Sequence, residues 1–161
     1  MTRVFVAAGS NVEPIKNLQR ALRELGKHYR LQLSPAYRNK AVGFEGEDFI
    51  NLVIGFETDD SIEQVVTRLH AAEAVCGRPR DAPKWAPRTM DLDLLLFGDL
   101  VRHEDNLKLP RGDLLKKAYM LRPMAELAPT TRHPVIGKTM RELWSEFDRD
   151  THTMISVDFK L

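Results

Sequence analysis

The sequence holds a single cysteine, Cys76, which excludes an internal disulfide and fits a reducing compartment. It also lacks an excess of either charge: 24 Lys and Arg stand against 23 Asp and Glu, a net of +1. Bulk electrostatics therefore points to no nucleic acid and no membrane surface as partner. No apolar run approaches the roughly 20 residues of a membrane span, and the N-terminus lacks the basic-then-apolar pattern of a secretory leader. A cytoplasmic location is expected. The five histidines are scattered, none at a zinc-site or general-base spacing, so satisfied or exposed roles are expected of them. Internal repeats, low-complexity tracts and linkers are missing too. The chain of 161 residues is read as one domain, 1–161, long enough to bury a real core.

What the sequence does have is concentrated between Lys84 and Gly98, in the run KWAPRTMDLDLLLFG. Met90 to Phe97 is short and apolar and is closed by Gly98, which predicts a buried strand. Asp91 and Asp93 interrupt it, although Asp is depleted in strands. Alternate residues of a strand face the same way, so the two carboxylates project side by side and Leu92 turns to the opposite face. Like charges that close repel unless one is protonated or a cation sits between them. A hard divalent ion such as Mg²⁺, shared with substrate phosphates, suits such a pair. The pair could equally line a solvated sheet face or pair with Arg88. The residues ahead of it favour a metal–nucleotide complex: Trp85 offers a stacking face, Pro87 fixes the chain, and Arg88 is a cation nearby. Arg78 and Arg80 on the preceding Gly77-Arg78-Pro79-Arg80 loop, with Arg88, could neutralise a polyphosphate.

In chain order, Arg3–Ala8 reads as the first strand, followed at Gly9-Ser10-Asn11 by a helix carrying Ile15, Leu18, Leu22 and Leu25 and ending at Gly26. Ser10 with Glu13, or Asn11, is the expected N-cap. One glycine there is far short of a P-loop or dinucleotide fingerprint. Leu31–Arg38 predicts a second strand, and residues 39–48 a loop long enough to move. In a third strand, Phe49–Glu57, Ile50, Leu52, Ile54 and Phe56 form one apolar face. Phe49, Asn51 and Val53 form the other, where a ring and an amide could hold a flat heterocycle, or simply belong to an ordinary strand. Ser61 and Gln64 predict a capping box for a helix with Ile62, Val65, Val66, Leu69 and Ala72 on one stripe. Glu73 falls within that stripe, which calls for a partner or an open helix end. Asn106–Pro110 reads as a short strand. Tyr119–Leu127 is partly helical with Pro123 near its start, and Thr139 with Glu142 caps a last helix bearing Met140, Leu143, Trp144 and Phe147.

Strand, helix, strand, strand, helix, strand is the split βαβ order of ferredoxin-like folds. The fold expected is α/β in the α+β sense: a βαββαβ core with a largely antiparallel sheet, helices packed on it, and added C-terminal helices.

These residues resemble the 6-hydroxymethyl-7,8-dihydropterin pyrophosphokinase family of folate biosynthesis, from the first strand to about Glu126. The signature lies in Lys84–Leu95, with Gly9-Ser10-Asn11, Tyr37-Arg38, Phe49-Ile50-Asn51, Gly77-Arg78, Arg80 and Leu109-Pro110 in support. The resemblance implies transfer of pyrophosphate from ATP to the hydroxymethyl oxygen of the pterin, with release of AMP. It implies that Asp91 and Asp93 bind two Mg²⁺ ions and that Arg78 and Arg88 act with them as catalytic residues. Arg80, Trp85, Arg88, Leu94, Lys108, Arg111 and Lys117 would contact ATP. Val42, Phe49, Asn51 and Tyr119 would hold the pterin, Phe49 and Tyr119 stacking on its faces while Asn51 reads its edge. The expected partners are ATP and the pterin only, and the expected state is a monomer.

The chain departs from the pattern in places. Arg111 stands where the family usually has histidine, Lys117 where arginine is expected, Asn106 where some members carry arginine, and Asn39-Lys40-Ala41 where Thr-Pro-Pro is common. Two other readings follow: a pterin- or nucleotide-binding paralogue without turnover, and a Mg²⁺-dependent phosphoryl or nucleotidyl transferase with another acceptor.

Overall fold

The computed structural model of the chain describes residues 1–39, 48–77, 90–148 and 154–161. β1 (Thr2–Ser10) and β4 (Phe49–Thr58) pair antiparallel from Thr2 opposite Thr58 to Ser10 opposite Ile50. β5 (Asp91–Phe97) pairs antiparallel with the other side of β1, and β3 (Ala36–Asn39) with the other side of β4. β8 (Ile155–Val157) lies outside β3, giving the order β5-β1-β4-β3-β8, and the two-residue β2 (Gln32–Leu33) also pairs with β4. Each crossover, through α1 (Pro14–Gly26) or α2 (Ile62–Val75), returns to a strand parallel to the one it left with an antiparallel strand between. This is the antiparallel βαββαβ arrangement the sequence predicts.

The sheet is buried on both faces. On one, Val4, Val6, Ala8, Leu52, Ile54 and Phe56 meet Leu18, Leu22 and Leu25 of α1 and Ile62, Val65 and Leu69 of α2. On the other, Phe5, Ala7, Val53 and Leu95 meet Met120, Leu121 and Met124 of α3 (Ala118–Leu127) and Met140 of α4 (Met140–Glu146). Burial on both sides is why β4 reads as a nearly continuous apolar run.

Several local expectations change. The predicted Leu31–Arg38 strand is broken into β2 and β3 at Ser34-Pro35; the Ser34 N–H donates to Val53 O at 2.9 Å, and its hydroxyl oxygen accepts from the Val53 N–H at 2.8 Å. Neither Ser10 nor Asn11 caps α1. Pro14 opens that helix behind Glu13, whose φ of 39° is left-handed, and the Ser10 hydroxyl bonds locally to Val12. Proline at the first helical position gives up only an N–H that would be unpaired anyway. Pro123 lies mid-helix in α3 rather than near its start, buried against the sheet, where it removes one backbone bond. The strand expected at 106–110 is half of a hairpin, β6 (Arg102–Glu104) with β7 (Leu107–Leu109). In β5 a bulge places Val6 opposite Leu94 but Phe5 opposite Leu96, so Leu95 and Leu96 both enter the α3 side. The alternation from Asp91 to Leu94 precedes the bulge and survives it. Both predicted capping boxes, Ser61/Gln64 and Thr139/Glu142, are present.

One scattered histidine is structural. His133 is 4% exposed, and its Nδ1 accepts from the Val135 and Ile136 N–H groups at 3.2 and 3.1 Å. Burial lowers its pKa, and a proton on Nδ1 would end both bonds. Because the folded-state pKa is depressed, this contribution is complete above the unfolded value of about 6.5. It is lost as pH falls from there toward the lower folded value. The urea midpoint should therefore drop between pH 7 and pH 5.5, and His133→Gln should flatten that part of the profile. An unchanged slope in the variant would remove His133 as its source.

Candidate active site

The register of three strands builds the site. Gly9 of β1 lies opposite Asp91 of β5 on one side and Asn51 of β4 on the other, and Asn51 lies opposite Tyr37 of β3. One row thus reads Asp91, Gly9, Asn51, Tyr37, and the next row in reads Asp93, Ala7, Val53. Neighbouring strands are about 4.8 Å apart, so a carboxylate and an amide flank a strip of sheet floored only by glycine and alanine. Small residues at the end of β1 are the signal in the sequence for this opening. A Cβ on Gly9 would come within 2.3 Å of Asn51 Oδ1, so the amide stays where it is only because residue 9 has no side chain. The Asn51 amide nitrogen donates to Asn39 Oδ1 at 2.7 Å, a role for Asn39 that reading it as the start of a loop did not foresee.

α3 roofs this strip. The Tyr37 hydroxyl donates to Glu126 Oε1 at 2.6 Å, and the Arg122 guanidinium lies 4.4 Å from the centre of the Tyr37 ring. Burial first, then the bond to Glu126, pushes the Tyr37 pKa up to about 12. Tyr119, one turn earlier, has its pKa raised by burial and then by the negative charges of Asp113, Asp93 and Asp91. Tyr119 thus lies close enough to these carboxylates to feel their charge. Phe49 shares the Asn51 face by strand alternation and lies opposite Asn39.

Beneath the carboxylates, Glu73 of α2 answers the question its sequence position raised: Glu73 Oε2 accepts from the Leu92 N–H at 2.9 Å. This fixes the backbone between the two aspartates. On the outer side, Arg111 Nη2 stands 3.5 Å from Asp93 Oδ1 and 3.6 Å from Asp113 Oδ2. The Arg111 backbone N–H donates to Leu95 O at 3.0 Å, anchoring this arginine to the edge strand. β5 is the sheet edge, and around it opens a cavity of about 480 Å³ whose lining includes Asp93, Leu94, Asn106, Leu107, Arg111 and His70. Lys108 and Lys117 are exposed and do not line it. Arg78, Arg80, Trp85, Arg88 and Val42 lie outside the described residues.

The donor set fits a magnesium ion. Among the described residues no cluster of three or more acidic, histidine or cysteine side chains forms a protein cage. Two carboxylates at alternate strand positions, partly buried beside a cavity, instead leave coordination places for phosphate oxygens and water, as Mg²⁺ prefers.

Fold and site together place the chain in the α+β class, with a carboxylate pair and a side-chain amide at one end of its sheet. The chain belongs to the 7,8-dihydro-6-hydroxymethylpterin-pyrophosphokinase family, which matches residues 5–129. A 2-amino-4-hydroxy-6-hydroxymethyldihydropteridine pyrophosphokinase of Pseudomonas aeruginosa is 37% identical over 146 residues, covering 88% of this chain and 89% of that one. The Aquifex aeolicus enzyme of that name is 31% identical over 91% and 92% of the two chains, and the Haemophilus influenzae one 30% identical over 98% and 99%. Among solved structures, a Plasmodium falciparum HPPK-DHPS aligns with a TM-score of 0.71 over 90% of this chain at 12% identity, a likeness of fold alone. This chain spans 45% of that longer one.

Proposed function

We propose that the whole chain, as one domain, transfers pyrophosphate from ATP to the hydroxymethyl group of 6-hydroxymethyl-7,8-dihydropterin, releasing AMP, as a step of folate biosynthesis. The observation that carries this is the row Asp91, Gly9, Asn51: a metal-type carboxylate and a heterocycle-reading amide separated by one bare strand. The pterin lies over Gly9, its edge on Asn51 and its faces against Phe49 and Tyr119, and Val42 is its further contact in this reading. ATP occupies the cavity at the β5 edge, its adenine beside Leu94, where the backbone of an edge strand is open to read it. Its phosphates extend toward Asp93 and Arg111, and Arg78, Arg80, Trp85, Arg88, Lys108 and Lys117 are its further contacts in this reading.

Two Mg²⁺ ions held by Asp91 and Asp93 would supply charge neutralisation for the phosphates and the acceptor oxygen. The acceptor oxygen then forms a bond to the β-phosphorus, the bond to the α-phosphate oxygen breaks, AMP leaves, and the hydroxyl proton passes to solvent. The protein's part is positioning and electrostatics, which is how such transfers are catalysed. The working unit in this reading is a monomer. The free thiol of Cys76, buried against Asn17 O, supports a reducing, cytoplasmic setting.

The test is AMP release from ATP and Mg²⁺ with and without the pterin. Pterin-dependent AMP is the expected result; none from folded protein would end the enzyme reading. The ion pair of Arg111 on Asp93 favours one second reading, a ligand-binding paralogue without turnover, which would bind pterin and release no AMP. Asn51→Ala separates a third: it should weaken pterin binding in both readings above, but leave a transferase with another acceptor unaffected.

A further inference from the structure

We propose that Asn39 is a specificity-determining positioning residue. It holds the Asn51 amide in one sense, oxygen toward Gly9, so that the pocket selects a heterocycle whose edge brings N–H donors over one whose edge brings carbonyls. The proposal rests on the pyrophosphokinase reading and adds to it which side of the ring meets Asn51. The two asparagines meet through strand register. Tyr37 of β3 lies opposite Asn51 and Asn39 lies opposite Phe49, so Asn39 and Asn51 are diagonal neighbours on one face of the sheet. Asn51 is 7% exposed, and its Nδ2 donates to Asn39 Oδ1 at 2.7 Å, a well-formed hydrogen bond. Tyr37, nearer in register, instead turns its hydroxyl to Glu126 of α3 at 2.6 Å. The Asn51 oxygen lies on the opposite side. A Cβ on Gly9 would stand 2.3 Å from Asn51 Oδ1 but 3.4 Å from its Cγ, so the oxygen is the part of the amide closest to β1. The amide therefore spans the gap between strands, nitrogen toward β3 and oxygen toward the bare glycine.

An amide presents an acceptor and a donor a half-turn apart, and its terminal torsion is soft enough to offer either. Here a half-turn would set Asn51 Oδ1 against Asn39 Oδ1, two acceptors in contact, and would forfeit a part-buried hydrogen bond. Asn39 thus keeps an acceptor over Gly9. A ligand edge lying there is held where it brings an N–H. It is rejected where it brings a carbonyl, because two facing oxygens leave an acceptor unpaired. The 2-amino group of a pterin is such a donor. Exchanging it for oxygen, as in a lumazine, removes the donor with almost no change of shape.

The experiment titrates two ligands by fluorescence without metal, 6-hydroxymethyl-7,8-dihydropterin and its 2-oxo counterpart, 6-hydroxymethyl-7,8-dihydrolumazine. The unaltered chain, Asn39→Ala and Asn39→Asp are compared, each checked by its melting curve. The unaltered chain should prefer the pterin at least about tenfold, the scale of one hydrogen bond made or left unmade. In Asn39→Ala the amide is free to turn its nitrogen to the 2-oxo group, so most of that preference should vanish. A merely structural role would weaken both ligands alike and leave their ratio in place. Aspartate offers acceptors only, so Asn39→Asp still holds Nδ2 and should keep the preference. An unmoved ratio in Asn39→Ala would overturn the proposal. So would a ratio lost in Asn39→Asp, which would make residue 39 the donor of the pair and reverse the sense of the amide. Equal binding of the two ligands by the unaltered chain would overturn it too, while leaving the pyrophosphokinase reading intact. Folded unaltered chain that binds no pterin would end both.

Discussion

Asp91→Ala and Asp93→Ala should each lower pterin-dependent AMP release at least about a thousand-fold, the upper end of what removing one electrostatic stabiliser costs. In such a transfer the protein contributes little covalent chemistry, so the groups that hold and neutralise the phosphates carry most of the rate. The fold gives two reasons to expect a clean result. Both side chains point away from the core that Leu92 and Leu94 enter, so neither substitution opens a cavity. Each also lies outside the apolar clusters, at a partly exposed position, so stability should stay within about 0.5 kcal/mol of the unaltered chain. Pterin binding measured without metal should survive both changes, because the heterocycle is read at Asn51, two strands away across β1. Asp91→Asn and Asp93→Asn, which keep shape and lose charge, should be nearly as inactive. A variant of either aspartate that keeps a tenth of the activity would remove that carboxylate from the metal site.

The carboxylate pair was legible in the sequence because a strand's period of two is fixed by covalent geometry, and the bulge that breaks it lies beyond Asp93. The same rule found Phe49 and Asn51 on one face, and the two capping boxes were legible because their partners are three residues apart. What the sequence hid was non-local. The Tyr37–Glu126 bond joins residues 89 apart, and the Arg111–Asp93 pair depends on how the β6–β7 hairpin returns the chain to the sheet edge. Arg111 looked like one of three cations around Asp113; that it also faces Asp93 follows from its backbone bond to Leu95, which no periodicity announces. Glu73 was the intermediate case. Its place inside an apolar stripe signalled a partner, but only the packing of α2 on β5 supplied the Leu92 N–H. The start of α1 misled because Ser10 and Asn11 are good caps in isolation, while β1 extends through Ser10 and leaves Pro14 to begin the helix.

Gly9→Ala should weaken pterin binding about 10- to 100-fold, matching the 1–3 kcal/mol range for a lost or misdirected buried hydrogen bond. The added methyl would lie 2.3 Å from Asn51 Oδ1 and 3.4 Å from its Cγ, whereas the nearest backbone atom, Ile50 O, is 3.8 Å away. The strands therefore need not move; the amide must. Turning it breaks the 2.7 Å bond to Asn39 Oδ1 and swings the acceptor out of the plane a ligand over Gly9 would meet. Stability should change little, since the crowding is offset by the smaller entropy of an alanine in the unfolded chain, a gain of about 0.4–1 kcal/mol. Fluorescence titration of the pterin, with a melting curve beside it, reads both quantities. A double-mutant cycle then isolates the cause. Once Asn51→Ala has removed the amide, the methyl on residue 9 has no amide to displace, so the double variant should lose less than the sum of the two single losses. A strictly additive loss would mean that the methyl acts on the ligand through the floor of the pocket alone and not through the amide.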